Sequence, residues 1–361
     1  MKSSIRLLAI VAAALVLPIE AYCAGSFVGP FTTISTVSST VPGNGDLNPY
    51  GVVVVPTSTG NLVAGNILVS NFNNSSNAQG TGTTIVQITP GGTNTLFAQI
   101  SETACAGGIG LTTALAIVQN NFVVVGSLPT TAGSAPTAGC LIVLDNTGTV
   151  VTTLTGKQIN GPWDMTAIDQ GTKSLLFVTN VLNGTVAAGG SVVNKATVLR
   201  LTVDFSKTPP KLTKTTIIGD SFPERTDAAA LVVGPTGLGL GSDGTLYVAD
   251  TLASRIAAIP NAIKRGNSAH LGTTIAQGGS LYAPLGLAIA PNGDILTVNA
   301  NDGNLVETTT AGVQSAPVNL DTTPETPLDP GFGTLFGLAV APGGTGVYFV
   351  DDGSNTLNLL H

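Results

Sequence analysis

The chain predicts an all-β fold: a six-bladed β-propeller of four-stranded antiparallel blades, its ring closed by an N-terminal strand that completes the last blade. Three observations predict it. A strand–turn–strand unit, with a Gly-centred turn in its clearest copies, recurs six times along the chain. A third strand follows every copy, and a fourth follows all but the last. One apolar-alternating segment near the start, Phe31 to Val37, belongs to no blade of its own.

The clearest copies are Gly237 to Asp250, Gly286 to Asn299 and Gly337 to Asp351. Each is an apolar strand, a turn and a second apolar strand ending in Asn or Asp. The turns Ser242-Asp243-Gly244, Pro291-Asn292-Gly293 and Pro342-Gly343-Gly344 use residues that tolerate positive φ, as hairpins require. Weaker copies run from Pro49-Tyr50-Gly51 to Asn71, over Thr113 to Gly126, and from Pro162-Trp163-Asp164 to Asn180. Third strands are expected at Thr84 to Ile88, Leu141 to Leu144, Thr197 to Leu201, Arg255 to Ile259, Asn304 to Thr308 and Thr356 to Leu360. Fourth strands are expected at Thr95 to Ile100, Val150 to Leu154, Thr213 to Ile218, Thr273 to Gln277 and Val313 to Val318. The sixth copy reaches His361 without one, so Phe31 to Val37 is expected as its outer strand, which also covers an exposed edge.

Pro235-Thr236-Gly237, Tyr247-Val248-Ala249-Asp250 and the six-residue step to Ile256 resemble NHL repeats. Copies four to six carry the pattern best, and the resemblance spans nearly the whole chain after the leader. It implies a propeller related at a distance to gluconolactonase-like lactonases and to the streptogramin-opening and peptide-amidating lyases. In the lactonases a channel metal is held by Glu, Asn and Asp, and Asn160, in Asn160-Gly161, resembles one such ligand. The first Glu after the leader is Glu102, and the histidine of the lyases has no counterpart.

Residues 1–24 read as a secretory signal, and 25–361 as one domain. Lys2 and Arg6 precede the apolar run Leu7 to Leu17, which is too short to span a bilayer. Cleavage is expected between Ala21 and Gly25, and Cys23 as a lipid anchor is the competing reading. The destination is the periplasm or the exterior. In an oxidising compartment the remaining cysteines, Cys105 and Cys140, suggest a disulfide; two buried free thiols are the other possibility.

Only 9% of residues are charged, and the net charge is −7. Six of the 13 basic residues fall between Lys195 and Arg225, mixed with Asp220, Glu224 and Asp227. Nucleic-acid binding is excluded, because phosphate neutralisation needs clustered Lys and Arg. No stretch is a transmembrane segment, and a monomer is expected. Gly239 to Gly244 matches GxGxxG, but a strand follows it and not the helix that a dinucleotide site requires. The two histidines, His270 and His361, lie outside the repeat core, so His-based acid–base catalysis in the channel is not expected.

Propeller geometry gathers the ends of the second strands on one mouth face. Asn71, Asn180, Asp250, Asn299 and Asp351 sit there, a ring of oxygens that suits a hard cation such as calcium. The same residues also suit capping of the next turn, and the six-residue steps Asn180–Val186, Asp250–Ile256, Asn299–Leu305 and Asp351–Leu357 imply one shared turn. Asn48 and Asn160 precede first strands on that face. Asp164 replaces the glycine of other copies and lies beside Trp163, the one Trp, as a carboxylate near an aromatic wall. Three long loops, 72–82, 127–139 and 181–195, rise on the same face, where loops on a rigid scaffold commonly carry function. The expected function is a binding protein that holds a small molecule, a peptide or a partner at the mouth. The alternative is a calcium-dependent lactonase-like hydrolase or lyase that uses the channel.

Overall fold

The computed structural model describes residues 25–361 apart from 131–135, 229 and 324–330, so the leader and Cys23 lie outside the described residues. Six antiparallel sheets form the blades of one propeller. Blade I comprises Leu47–Val54, Ile67–Asn73, Thr84–Ile88 and Asn94–Gln99; blade II comprises Leu111–Val118, Phe122–Ser127, Cys140–Leu144 and Val150–Leu154. Blade III holds Gly161–Gln170, Lys173–Val181, Val193–Asp204 and Lys211–Asp227, with a short fifth strand, Leu231–Val233. Blade IV holds Pro235–Leu240, Leu246–Asp250, Arg255–Ile259 and Thr273–Gln277; blade V holds Pro284–Ile289, Ile295–Asn299, Asn304–Thr308 and Val318–Asn319. Blade VI holds Leu335–Val340, Val347–Asp351 and Thr356–Leu360, with Ile34–Ser39 as its outer strand. Among the described residues the only helices are three short 3₁₀ turns, and no helix is long and apolar enough to cross a membrane.

The N-terminal strand closes the ring as expected, a few residues later than its apolar pattern begins. Ile34 pairs with Leu360 and Ser39 with Thr356. A second clasp precedes it. Glu307, 2% exposed on the third strand of blade V, accepts the N–H of Phe27 at 2.7 Å, the N–H of Val28 at 3.0 Å and the Ser26 hydroxyl at 2.5 Å. Burial alone would raise the Glu307 pKa, but these hydrogen bonds and one from Asn292 hold it below its usual value. Val28 is thereby buried in the core shared by blades V and VI.

Three strand expectations need correction. The outer strand of blade V is Val318–Asn319, not Val313 to Val318, because Pro317 has no N–H to donate to the ladder. Lys211–Asp227 runs far past Ile218, and its end pairs with Leu231–Val233. The six-residue step fails in blade III, where Asn180 pairs with Thr197 and Val186 stands exposed in the loop. Cys105 and Cys140 form the expected disulfide, with a Cα–Cα distance of 6.1 Å, inside the core shared by blades I and II.

The inner strands approach one another closely around the axis. A Cβ on Gly286 would lie 2.0 Å from the carbonyl oxygen of Phe336 in blade VI, and one on Gly337 would lie 2.2 Å from that of Tyr50 in blade I. Hydroxyls add links between neighbours: Ser70 donates to the Thr112 carbonyl at 2.9 Å, Thr112 to Pro162 at 2.8 Å, Thr179 to Thr236 at 2.8 Å and Thr251 to Pro284 at 2.8 Å.

Gly286→Val should cost at least about 2 kcal/mol in urea unfolding, since it overpacks against backbone. Glu307→Ala should cost about 2 kcal/mol through charge-assisted hydrogen bonds. Removing residues 25–39 should lower the melting temperature of the whole domain in one transition; a truncated protein that melts like wild type contradicts the closure.

Candidate functional site

Strand register places the expected ring residues at one level of the propeller. Asn71 pairs with Pro49, Asn180 with Pro162, Asp250 with Pro235, Asn299 with Pro284 and Asp351 with Leu335. Most of their polar atoms are engaged close by. Asn180 Oδ1 accepts the N–H of Asn160 at 2.8 Å and of Gly161 at 3.1 Å. Asn299 Oδ1 accepts the N–H of Tyr282 at 3.1 Å, and Asp351 Oδ1 that of Ser354 at 3.1 Å. Asp250 is 1% exposed and takes two bonds from Arg255, at 2.7 and 3.0 Å, so a guanidinium already neutralises it. These four thus engage in turn capping and ion pairing. No group of three or more His, Cys, Asp or Glu among the described residues could hold a metal. Asn71 Oδ1 and Asp250 Oδ1 have no hydrogen-bond partner, and Asp250 has a guanidinium on its other oxygen.

The axis is filled. Tyr50 stacks on Phe336 with ring centroids 3.9 Å apart and on Phe72 at 4.6 Å. Trp163 meets Phe72 edge to face at 5.6 Å and Tyr50 at 6.1 Å. Tyr50 and Trp163 are each 2% exposed, so Trp163 is a core residue and does not wall an open mouth. Burial, then the nearby Asp352 carboxylate, pushes the Tyr50 phenol well above its usual pKa, so it stays neutral. The cavity left on the axis, bordered by Thr113, Asp164, Thr236 and Leu285, amounts to about 30 Å³, room for one or two waters.

Asp164 borders that cavity in the register where blades I, IV, V and VI carry glycine. Its Oδ2 accepts the N–H of Leu238 from blade IV at 2.9 Å, so the carboxylate joins two blades. Burial raises its pKa to about 7, against the opposing hydrogen bonds of Met165, Leu238 and Thr113.

Outside the axis, the long loops of blades II and III frame an open groove of about 690 Å³ lined by Pro136, Ala138, Asn160, Leu182, Asn183 and Val186 among others. Asn160 Nδ2 donates to Asn183 Oδ1 at 2.5 Å on its floor. Glu224, missed by the sequence reading, holds this loop: it is fully buried and accepts the N–H of Leu182 at 2.7 Å and of Asn183 at 3.0 Å. Leu182 sits at φ 71°, a conformation that leucine rarely adopts and that these bonds fix. Burial raises Glu224 to about 7, opposed by those hydrogen bonds and by Lys195. Its one sequence signal was an acid inside the most basic segment. Asn48, at φ 58°, donates its N–H to Asn355 Oδ1 at 2.8 Å and is not among the groove residues.

No protein-family profile and no curated sequence matches the chain. Solved structures share its propeller fold. A gluconolactonase from Xanthomonas campestris superposes with a TM-score of 0.56 at 14% identity, over 90% of this chain and 88% of that one. Regucalcin from Agrobacterium tumefaciens, described as calcium-binding, gives 0.56 at 13%, over 90% and 93%. A catalytically inactive virginiamycin B lyase from Staphylococcus aureus with quinupristin gives 0.52 at 13%, over 91% and 98%. At these identities the likeness shows the fold.

A carboxyl that keeps its proton up to about pH 7 when folded, but releases it near about pH 4 when unfolded, stabilises fully below the lower value and loses that contribution as pH rises through the upper. Asp164→Asn should therefore melt like wild type at about pH 4 and above wild type at about pH 8. An unchanged fall in melting temperature between those values contradicts the proton-holding carboxyl.

Proposed function

We propose that this chain is an exported propeller that binds a ligand on its mouth face, in the groove between the loops of blades II and III. The axis carries this reading: among the described residues the stack of Tyr50, Phe72, Trp163 and Phe336 borders a cavity of about 30 Å³, room for one or two waters. The groove has the volume of a small-molecule site. The residues that line it are uncharged, with two side-chain amides beside apolar walls, which favours a neutral ligand carrying amide or hydroxyl groups, such as a small molecule or a peptide segment. The Cys105–Cys140 bridge fits an oxidising destination.

The named neighbours favour the second reading, a calcium-dependent hydrolase or lyase of the lactonase type, over a purely passive binding role. Under it the aromatic stack must open, and Asp164, which holds a proton near neutral pH, becomes the axial acid or base.

One experiment separates them. Sugar lactones and a cyclic depsipeptide lactone are incubated with the protein, with and without calcium, while thermal-shift screening of neutral amides and peptides proceeds in parallel. The binding reading predicts no turnover, and ligand-induced stabilisation that is lost in Asn183→Ala and Val186→Glu. Calcium-dependent turnover abolished by Asp164→Asn establishes the catalytic reading instead.

A further inference from the structure

Blade I contains a set of oxygens of which only Asn71 belongs to the expected ring. Asp46 immediately precedes its first strand and is 3% exposed, yet none of the described ion pairs includes it. Its carboxylate reaches across the second strand to the third: Oδ2 accepts the Thr83 N–H at 2.8 Å, the Thr84 hydroxyl at 2.9 Å and the Thr83 hydroxyl at 3.2 Å. The Thr84 hydroxyl in turn accepts Asn71 Nδ2 at 3.2 Å, so the amide of Asn71 is one hydroxyl away from the carboxylate.

Asn71 is 0% exposed. Its Nδ2 also donates to the Thr40 carbonyl at 3.2 Å, a group that can only accept, and this fixes which way the amide faces. Its Oδ1 is left without a partner. Two residues on, Asn73 lies on the same face of the strand and is 1% exposed. Its Nδ2 donates to Asn77 Oδ1 at 2.7 Å and to the Asn77 carbonyl at 3.4 Å, which fixes that amide too. Its Oδ1 also has no partner. Asn73 pairs in register with Leu47, the residue next to Asp46.

A buried carboxylate outside the described ion pairs and two buried amide oxygens with no donor are each costly, and strand register sets them at one end of blade I. A hard cation with oxygen ligands relieves all three at once. We propose that blade I binds a hard cation such as calcium through Asp46, Asn71 Oδ1 and Asn73 Oδ1. The site fastens the mouth loop 74–82 to the start of the first strand, because Asn73 and Asn77 open that loop. It is apart from the axis and from the groove, and it does not depend on which function holds.

The test is equilibrium dialysis of chelator-treated protein against calcium alone, with melting temperature followed in parallel. The expected result is one calcium per chain with a dissociation constant on the order of 0.1–1 mM, as for exported sites with few charged ligands, and a rise in melting temperature on binding. Asp46→Asn should weaken binding at least about tenfold, Asn73→Asp should tighten it by adding a charge, and Asp243→Asn, in an exposed turn, should leave it unchanged. No binding up to about 10 mM, or binding that neither Asp46→Asn nor Asn73→Asp alters, overturns the proposal. If Asp46→Asn does not fold, Asn73→Asp decides alone: tighter binding supports the site and unchanged binding overturns it.

Discussion

The closeness of the inner strands governs this molecule. Where the first strand of one blade passes the next, glycine lets a backbone carbonyl come nearer than any side chain permits, as at Gly286 against Phe336 and Gly337 against Tyr50. The aromatic residue that follows the start of several first strands is then driven onto the axis, where rings from blades I, III and VI meet. Closure of the ring by Ile34–Ser39, reinforced by Glu307 on Ser26 to Val28, keeps the six strands at this distance.

The filled axis redistributes the chemistry. A propeller with an open channel can place a reaction on its axis, and the solved structures that superpose on this one are named as a lyase, a gluconolactonase and a calcium-binding regucalcin. Here the Asp164 carboxyl borders the axial cavity and joins blade III to blade IV through Leu238. The remaining features lie elsewhere, in the open groove held by Glu224 and the buried polar set around Asp46. A shared fold does not fix the chemistry, since function belongs to sites and not to architecture.

The repeat was legible because Gly-centred turns and alternating strands are local properties, and the closing strand was legible because one segment lacked a blade. The short outer strand of blade V depended on one proline, Pro317, whose effect is local but easy to pass over inside an apolar run. The site was less legible, for a different reason. Asn180 and Asn299 carry the same residue type that a ligand would, and only their hydrogen bonds to Asn160, Gly161 and Tyr282 show that they cap turns. Trp163 read as a mouth wall because its neighbours in space, Tyr50 and Phe72, come from another blade. Asp46 lies outside the repeat pattern, so no periodicity pointed to it.

Trp163 is the only Trp in the chain and sits inside the axial stack, so its fluorescence reports directly on whether the axis is filled. Acrylamide quenching of the native protein is the decisive measurement. A filled axis predicts blue-shifted emission and quenching far weaker than in the urea-unfolded chain. Emission as red and quenching as strong as in the unfolded chain, at a pH where the protein is fully folded, would show an open channel and contradict the account.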